Sequence, residues 1–403
     1  MTEIQSIDAR EKRAQFILSL LPFTLFFPVG ITNFGVVLFA VAVLLAGNHA
    51  QRWQRVKNHP LFFPILGLLA VCCLEGAILP RSHDFWKAFL HYQIYLFFLL
   101  FISVGAGAWQ RHALNMLFVG AGYAATLFYI HHLHPLPDWS IFQNYILYAG
   151  NKSILIGMML GVAGGLLFND LIEQKQGRWW RIFLLVYIAI ALFLFAKTRT
   201  GSVMFFLVCG VVFLRHLRFS WRTGVVAVAL LMAAVLIWQT ADGFRERMLG
   251  TYHDLKAFSQ GGTVSSEGVR LEMYRITLDM IRENPVMGGG IGTWGEQYPT
   301  RAQGLLSENM ATPHNDYLLY TAEIGLLGVA TLLTIWLTQL WIGMRMYGAD
   351  GTRVLAITVA LMFGGAVNAI LRDALFGMAF MILLAIPLAG VSRHRRTSST
   401  GDQ

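Results

Sequence analysis

Charge is the scarcest ingredient of this 403-residue sequence: 13% of residues are Asp, Glu, Lys or Arg, against 56% that are hydrophobic. A soluble domain runs near about 25% charged, so the shortage excludes one large soluble core and fits repeated membrane spans. Acidic residues are the rarer sign, 22 against 31 basic ones. The basic excess forms no single dense patch; it sits in short clusters between apolar runs, which argues against a nucleic-acid partner. Cysteine is nearly absent. Cys72, Cys73 and Cys209 all lie inside apolar runs. Neither a disulfide framework nor a CxxC metal site is available, and the three read as small buried apolar residues. Internal repeats and low-complexity tracts are missing as well.

What is present is apolar length. A span needs about 20 mostly apolar residues. Twelve stretches qualify, at roughly 14–30, 31–47, 60–79, 86–108, 112–131, 152–169, 180–196, 202–214, 222–239, 316–345, 353–371 and 374–392. The expected fold is all-α, a polytopic transmembrane helical bundle of about 12 spans. Spans 1–9 fall within 1–239, a large outside loop covers 240–315, spans 10–12 occupy 316–392, and a short basic tail covers 393–403. Glu11-Lys12-Arg13 before the first run could open a signal peptide, but no small-x-small cleavage site follows, so the run reads as a retained span. With both termini in the cytoplasm, eighteen Lys and Arg fall in inside segments and six in short outside segments, as the positive-inside rule requires.

The outside loop carries helical pattern of its own. Leu271, Tyr274, Leu278 and Ile281 recur at helical spacing, Arg275 and Asp279 form an i,i+4 pair, and Pro285 with Gly288-Gly289-Gly290 ends the run. Phe244 to Phe258 is a weaker amphipathic stretch. The loop is expected to lie on the membrane surface as a helical lid.

Cations stand on that outer face although the sorting rule disfavours them there. Lys197-Thr198-Arg199-Thr200-Gly201-Ser202 sits at a span end, Arg270 and Arg275 on the loop helix, and Arg81 and Lys87 around the start of the fourth span. Guanidinium groups bind phosphate in a fork and stay charged at any working pH, so such a cluster suits a lipid-linked pyrophosphate. The alternative is that these are interfacial anchors whose charges snorkel to head groups. Next comes Thr312-Pro313-His314-Asn315-Asp316-Tyr317-Leu318, joining the loop to a long apolar helix. Asn315 or Thr312 can cap that helix. His314 would then meet the positive end of its dipole, which favours the neutral ring that a general base needs; a capping or head-group histidine is the plainer reading. Glu323 lies further along the same helix, sharing a face with Asp316 and Tyr320. A carboxylate at membrane depth points to function or to a structural pairing with a neighbouring span. His131, His132 and His134 are close together, but Pro135 and Pro137 break the local helix and no carboxylates accompany them. Gly288-Gly289-Gly290-Ile291-Gly292 follows no strand, so it is no dinucleotide fingerprint.

Three stretches together resemble the O-antigen ligase and polymerase superfamily of bacterial inner membranes. They are Thr198-Arg199-Thr200-Gly201-Ser202 after an apolar span; Arg270-Leu271-Glu272-Met273-Tyr274 followed by Asn284-Pro285-Val286-Met287-Gly288-Gly289-Gly290-Ile291-Gly292; and His314-Asn315-Asp316-Tyr317-Leu318 with Glu323-Ile324-Gly325-Leu326-Leu327-Gly328. The resemblance covers about 190–330 by motif and the rest by span pattern alone. It implies a multi-pass inner-membrane glycosyltransferase working on the periplasmic face without metal or cofactor. The donor it implies is an undecaprenyl-diphosphate-linked glycan and the acceptor the lipid A-core oligosaccharide. By the same resemblance Arg199 and Arg270 bind the diphosphate and His314 takes the acceptor's proton. Arg81, Lys87 and Arg275 are further candidates for the diphosphate, with Asn315 and Glu323 in support. An O-antigen polymerase and a protein O-glycosyl ligase share that donor and remain alternatives. A lipid or solute transporter is the competitor from another class, although no half-to-half similarity of the kind common in transporters is found.

Overall fold

The computed structural model describes residues 9–137, 151–174, 176–196, 198–217 and 266–393, with isolated helical positions between 228 and 250. Among the described residues every regular element is a helix. In chain order they are α1 (Ala9–Thr24), α2 (Val29–Leu45), α3 (His49–Lys57), α4 (Phe62–Ile78), α5 (Phe85–Tyr92), α6 (Ile94–Ile102), α7 (Trp109–Leu133), α8 (Asn151–Glu173), α9 (Arg178–Ile190), α10 (Arg199–His216), α11 (Ser266–Glu283), α12 (Thr293–Arg301), α13 (Asp316–Arg345), α14 (Gly348–Val367) and α15 (Ala374–Leu388). A π-helical turn, Ala191–Phe195, extends α9.

Seven helices among the described residues are long and apolar enough to cross a bilayer: Phe85–Ile102, Trp109–Leu133, Ile154–Glu173, Arg178–Phe195, Arg199–His216, Asp316–Arg345 and Gly348–Val367. Counting α2 with α3, bent by 117°, as one span makes eight. The expected count of about twelve is not reached among the described residues, in part for a geometric reason. The runs at 31–47 and 60–79 fold as helices of 17 residues and the last run as one of 15. At about 1.5 Å per residue none reaches 30 Å. The run at 222–239, the pattern at 244–258 and Lys197 lie outside the described residues. Outward-facing Leu44, Phe34 and Leu214 are each about 70% exposed, a surface that suits lipid and not water.

Close packing between helices comes from small residues, as expected where lipid is as apolar as leucine. Gly157 and Gly161 of α8 bring its backbone against Thr198 and Gly201 at the start of α10; an added Cβ at Gly157 would lie 2.1 Å from Thr198 Oγ1. Further along, Gly164 and Gly165 meet Phe205 and Val208. This seam fixes where α10 begins.

The bundle has two chemically distinct ends. At one, Arg353 of α14 pairs with Asp170 of α8 at 2.5 Å and also with Asp350. There Arg215 of α10 donates to the carbonyls of Met344 (3.3 Å) and Met346 (2.8 Å), and Asn169 donates to Ala349 O at 3.4 Å. The end of α10 thus meets the start of α14, so the two helices run antiparallel. The start of α10 and the end of α14 consequently share the opposite end, which carries the candidate site.

Candidate functional site

The site is built on the start of α13. Its first turn is stitched to the end of α14 and to the connector 368–373 by four consecutive side chains. His314 Nδ1 meets Asn368 Oδ1 at 2.8 Å, and Asn315 Nδ2 donates to Ala366 O at 3.0 Å. Asp316 accepts from Leu371 N at 3.1 and 3.2 Å, and Tyr317 O–H donates to Met362 O at 3.1 Å. Asn315 is also the N-cap, accepting from Leu318 N at 3.0 Å. Of the two caps the sequence allowed, Asn315 is the one used. Each polar side chain of the motif is occupied by the fold, except for one nitrogen of His314.

Which nitrogen is settled by the neighbour. Asn368 Oδ1 also accepts from the backbone N–H of Ala369 at 3.0 Å. A backbone N–H can only donate, so that atom of Asn368 is the oxygen. His314 Nδ1 must then carry the proton, which leaves Nε2 with its lone pair free in the neutral ring. His314 sits at φ 50, one of two non-glycine residues at positive φ among the described residues. Backbone held in that region collects at functional sites.

Burial, the largest cause, pushes the His314 pKa below the ordinary histidine value; the Asn368 hydrogen bond opposes it, and the positive charge of Arg270 adds to the lowering. The sequence pointed to the helix-start field as the reason for a neutral ring. Burial and a guanidinium act in the same direction. Arg270 lies near the start of α11 on the flank that continues to Met273, Thr277 and Met280, the residues buried against Trp294, Tyr298 and Leu319. The apolar spacing marked an overlapping flank: Tyr274 and Ile281 pack against the same cluster, whereas Leu278 is 43% exposed. The offset has a simple source. Thr277 is polar yet fully buried, because Trp294 Nε1–H donates to its hydroxyl at 2.9 Å. Asp279 pairs with Arg282 at 2.5 Å rather than with Arg275.

Arg199 is the first residue of α10, next to the π-helical turn. Met204 of α10 and Met158 of α8 both reach Gly364 of α14. Arg199 is five residues before Met204 and Asn368 four after Gly364, so each lies roughly 6–8 Å along its helix from that contact, toward the same end. Arg199, Arg270 and His314 therefore belong to one end of the bundle. Arg275 stands on the exposed face of α11. Arg81 donates to Gly76 O at 3.1 Å and lies over Phe85 (5.1 Å) and Trp86 (5.6 Å); Lys87 is exposed on α5.

Glu323 is 1% exposed and serves as a pin. Its carboxylate accepts from Tyr92 O–H at 2.7 Å and from the backbone N–H groups of Gly292 and Trp294. It thereby holds the glycine-rich segment and α12 against α13. His131 and His132 are engaged elsewhere: Leu136 N donates to His131 Nδ1 at 3.1 Å, and His132 packs on Phe195. Among the described residues no three His, Cys, Asp or Glu converge as metal ligands. Sequence reasoning missed Asn368, whose only signal was an asparagine ending an otherwise apolar span. Should His314 act on a bound substrate, Asn368→Ala is expected to lower turnover roughly a hundredfold by misplacing its ring, with a small effect on melting temperature. Steady-state rates beside thermal melts of the purified protein check this.

Comparison with known proteins agrees with the resemblance carried by the motifs. The chain is 22% identical to a protein named O-antigen ligase from Escherichia coli (strain K12), over 344 residues that cover 79% of this chain and 78% of the relative. Residues 183–333, which include Arg199, Arg270, His314 and Glu323, match the family model described as O-antigen ligase.

Proposed function

We propose that the protein is a glycosyltransferase of the ligase or polymerase type. In this reading it acts at the periplasmic face of the inner membrane and moves O-antigen polysaccharide from undecaprenyl diphosphate to lipid A-core oligosaccharide. The similarity to O-antigen ligase supports the reaction class. The observation that carries the mechanism is His314, neutral by burial, held through Nδ1, with Nε2 free beside the charge of Arg270.

In this reading His314 Nε2 takes the proton of the acceptor hydroxyl as its oxygen attacks the anomeric carbon. The bond from that carbon to the diphosphate oxygen breaks, and undecaprenyl diphosphate leaves with the electron pair. Arg199 and Arg270 stabilise the charge that builds on the leaving oxygens, which prepositioned cations in a low-dielectric site do well. A single displacement inverts the sugar. Asp316, the carboxylate nearest in sequence, is fully buried and engaged by the backbone of 370–372, so it does not serve as a nucleophile. Arg81, Lys87 and Arg275 extend the positive surface that meets the anionic carrier.

The test is reconstitution with lipid-linked glycan and lipid A-core, without nucleotide. Glycan on lipid A-core supports the ligase. Lengthening of the lipid-linked glycan instead identifies a polymerase. Transbilayer movement without transfer overturns the enzyme reading. The pH profile gives an independent check. The base is active when unprotonated, and its lowered pKa places the acid limb of kcat/KM below the usual histidine value of about 6.5. Arg270→Gln removes a cause of that lowering, so its limb is expected to move to higher pH, whatever happens to the maximal rate. An unmoved limb separates Arg270 from His314.

A further inference from the structure

We infer that Arg372, on the connector between α14 and α15, is a binding residue for a phosphoryl group of a substrate; this rests on the glycosyl-transfer reading and adds a position to it. The connector is rigid for a visible reason. The Asp316 carboxylate accepts from the backbone N–H groups of Ile370, Leu371 and Arg372. The same connector begins with Asn368, the partner of His314. Arg372 is thus mounted on the turn that orients the base, at the same end of the bundle.

Its guanidinium is incompletely used. Nη1 of Arg372 is buried and has no hydrogen-bond partner among the described residues. Its charge lies within reach of Tyr92, Tyr320 and Glu323, and of His91, which also feels Lys87 and Asp373. Glu323 is the obvious structural counter-ion, yet no Arg372–Glu323 contact within 4.0 Å occurs. The carboxylate is instead taken by the Tyr92 hydroxyl and two backbone N–H groups. Tyr320 O–H, 1% exposed, and His91 Nδ1 are buried and unpartnered in the same neighbourhood. Buried polar atoms are ordinarily paired, and an unpaired guanidinium nitrogen with two further unpaired polar atoms in its neighbourhood marks a place where a polar group binds. An arginine beside hydroxyl and imidazole groups, with Lys87 nearby on α5, selects a phosphoryl oxygen. Either the donor diphosphate or a phosphate on the acceptor core can supply it.

Binding of undecaprenyl diphosphate and of inorganic pyrophosphate is measured on the purified full chain, with wild type, Arg372→Ala and Arg372→Lys. The KM of each substrate is then measured, using core acceptor with and without its phosphates. One charge-assisted contact predicts a loss of about tenfold to a hundredfold in Arg372→Ala, partly restored in Arg372→Lys. A weaker Kd for undecaprenyl diphosphate assigns the site to the donor. An unchanged Kd with a raised KM for phosphorylated acceptor only assigns it to the acceptor. Unchanged Kd and KM values overturn the inference, as does a fall in melting temperature in both variants with affinities intact. That last result makes Arg372 a structural tie to Glu323. Wild-type protein that binds diphosphate but transfers no glycan overturns the enzyme reading while leaving the binding role of Arg372 measured.

Discussion

His314→Ala is expected to reduce turnover by about 10²–10⁴-fold, the usual contribution of a positioned general base, while the protein remains folded. The fold has little to lose at this position. Asn368 Oδ1 keeps its bond from Ala369 N when the imidazole is removed, so no buried acceptor is stranded. The cap of α13 belongs to Asn315, and the tie to the connector belongs to Asp316. A large loss of rate with a near-constant melting temperature therefore reports chemistry. The rate would be followed as glycan transferred per minute at saturating donor, with the melt of the same preparation alongside. Wild-type turnover in the variant would remove His314 as the base and leave its free Nε2 without a role.

The motifs were legible because their residues are unusual where they stand. A cation at a span end, a histidine before a helix start and five closely spaced residues with four glycines each break the local pattern, and the structure places all three at one end of the bundle. Their partners were not legible. Asn368 is 54 residues from His314, and Leu371 is 55 from Asp316; nothing in local spacing announces such a bond. The α11 face was legible only in part, through Tyr274 and Ile281, because hydropathy assigns Thr277 to the outside, whereas a tryptophan N–H makes its burial affordable. Among the described residues fewer runs than counted form helices long enough to cross a bilayer, because a sliding window credits apolar composition without asking where the helix stops. Phe62–Ile78 has the composition of a span but ends after 17 residues.

Gly325 shows how far a sequence feature can mislead about its cause. Beside Gly328 it suggests close helix packing, yet α13 is broken there: Ile324 has φ −121, ψ 18 and Gly325 has φ 61, ψ −168. The latter conformation belongs essentially to glycine. The break is filled by the glycine-rich segment before α12. Gly289 N donates to Ala322 O at 2.8 Å, Gly290 N to Glu323 O at 2.9 Å, and Leu326 N to Pro285 O at 2.9 Å. These bonds replace those the kink removes, a necessity at membrane depth, where each unmet backbone group costs several kcal/mol. The approach is too close for a side chain on either strand of the contact. A Cβ at Gly325 would lie 2.1 Å from Val286 O, and one at Gly288 2.5 Å from the carbonyl of Glu323. Gly325→Ala is accordingly expected to cost about 4 kcal/mol or more, the range reserved for mutations that break a buried constraint, and Gly325→Val to yield no folded protein. Gly304→Ala is the matched control. Its φ is 79, but nothing lies within 4 Å of the added carbon, so only the backbone term of roughly 1–2 kcal/mol applies. Melting temperature and monodispersity in detergent report both. If Gly325→Ala melts with Gly304→Ala, the docked loop does not hold the kink, and the placement of α11 with Arg270 must have another origin.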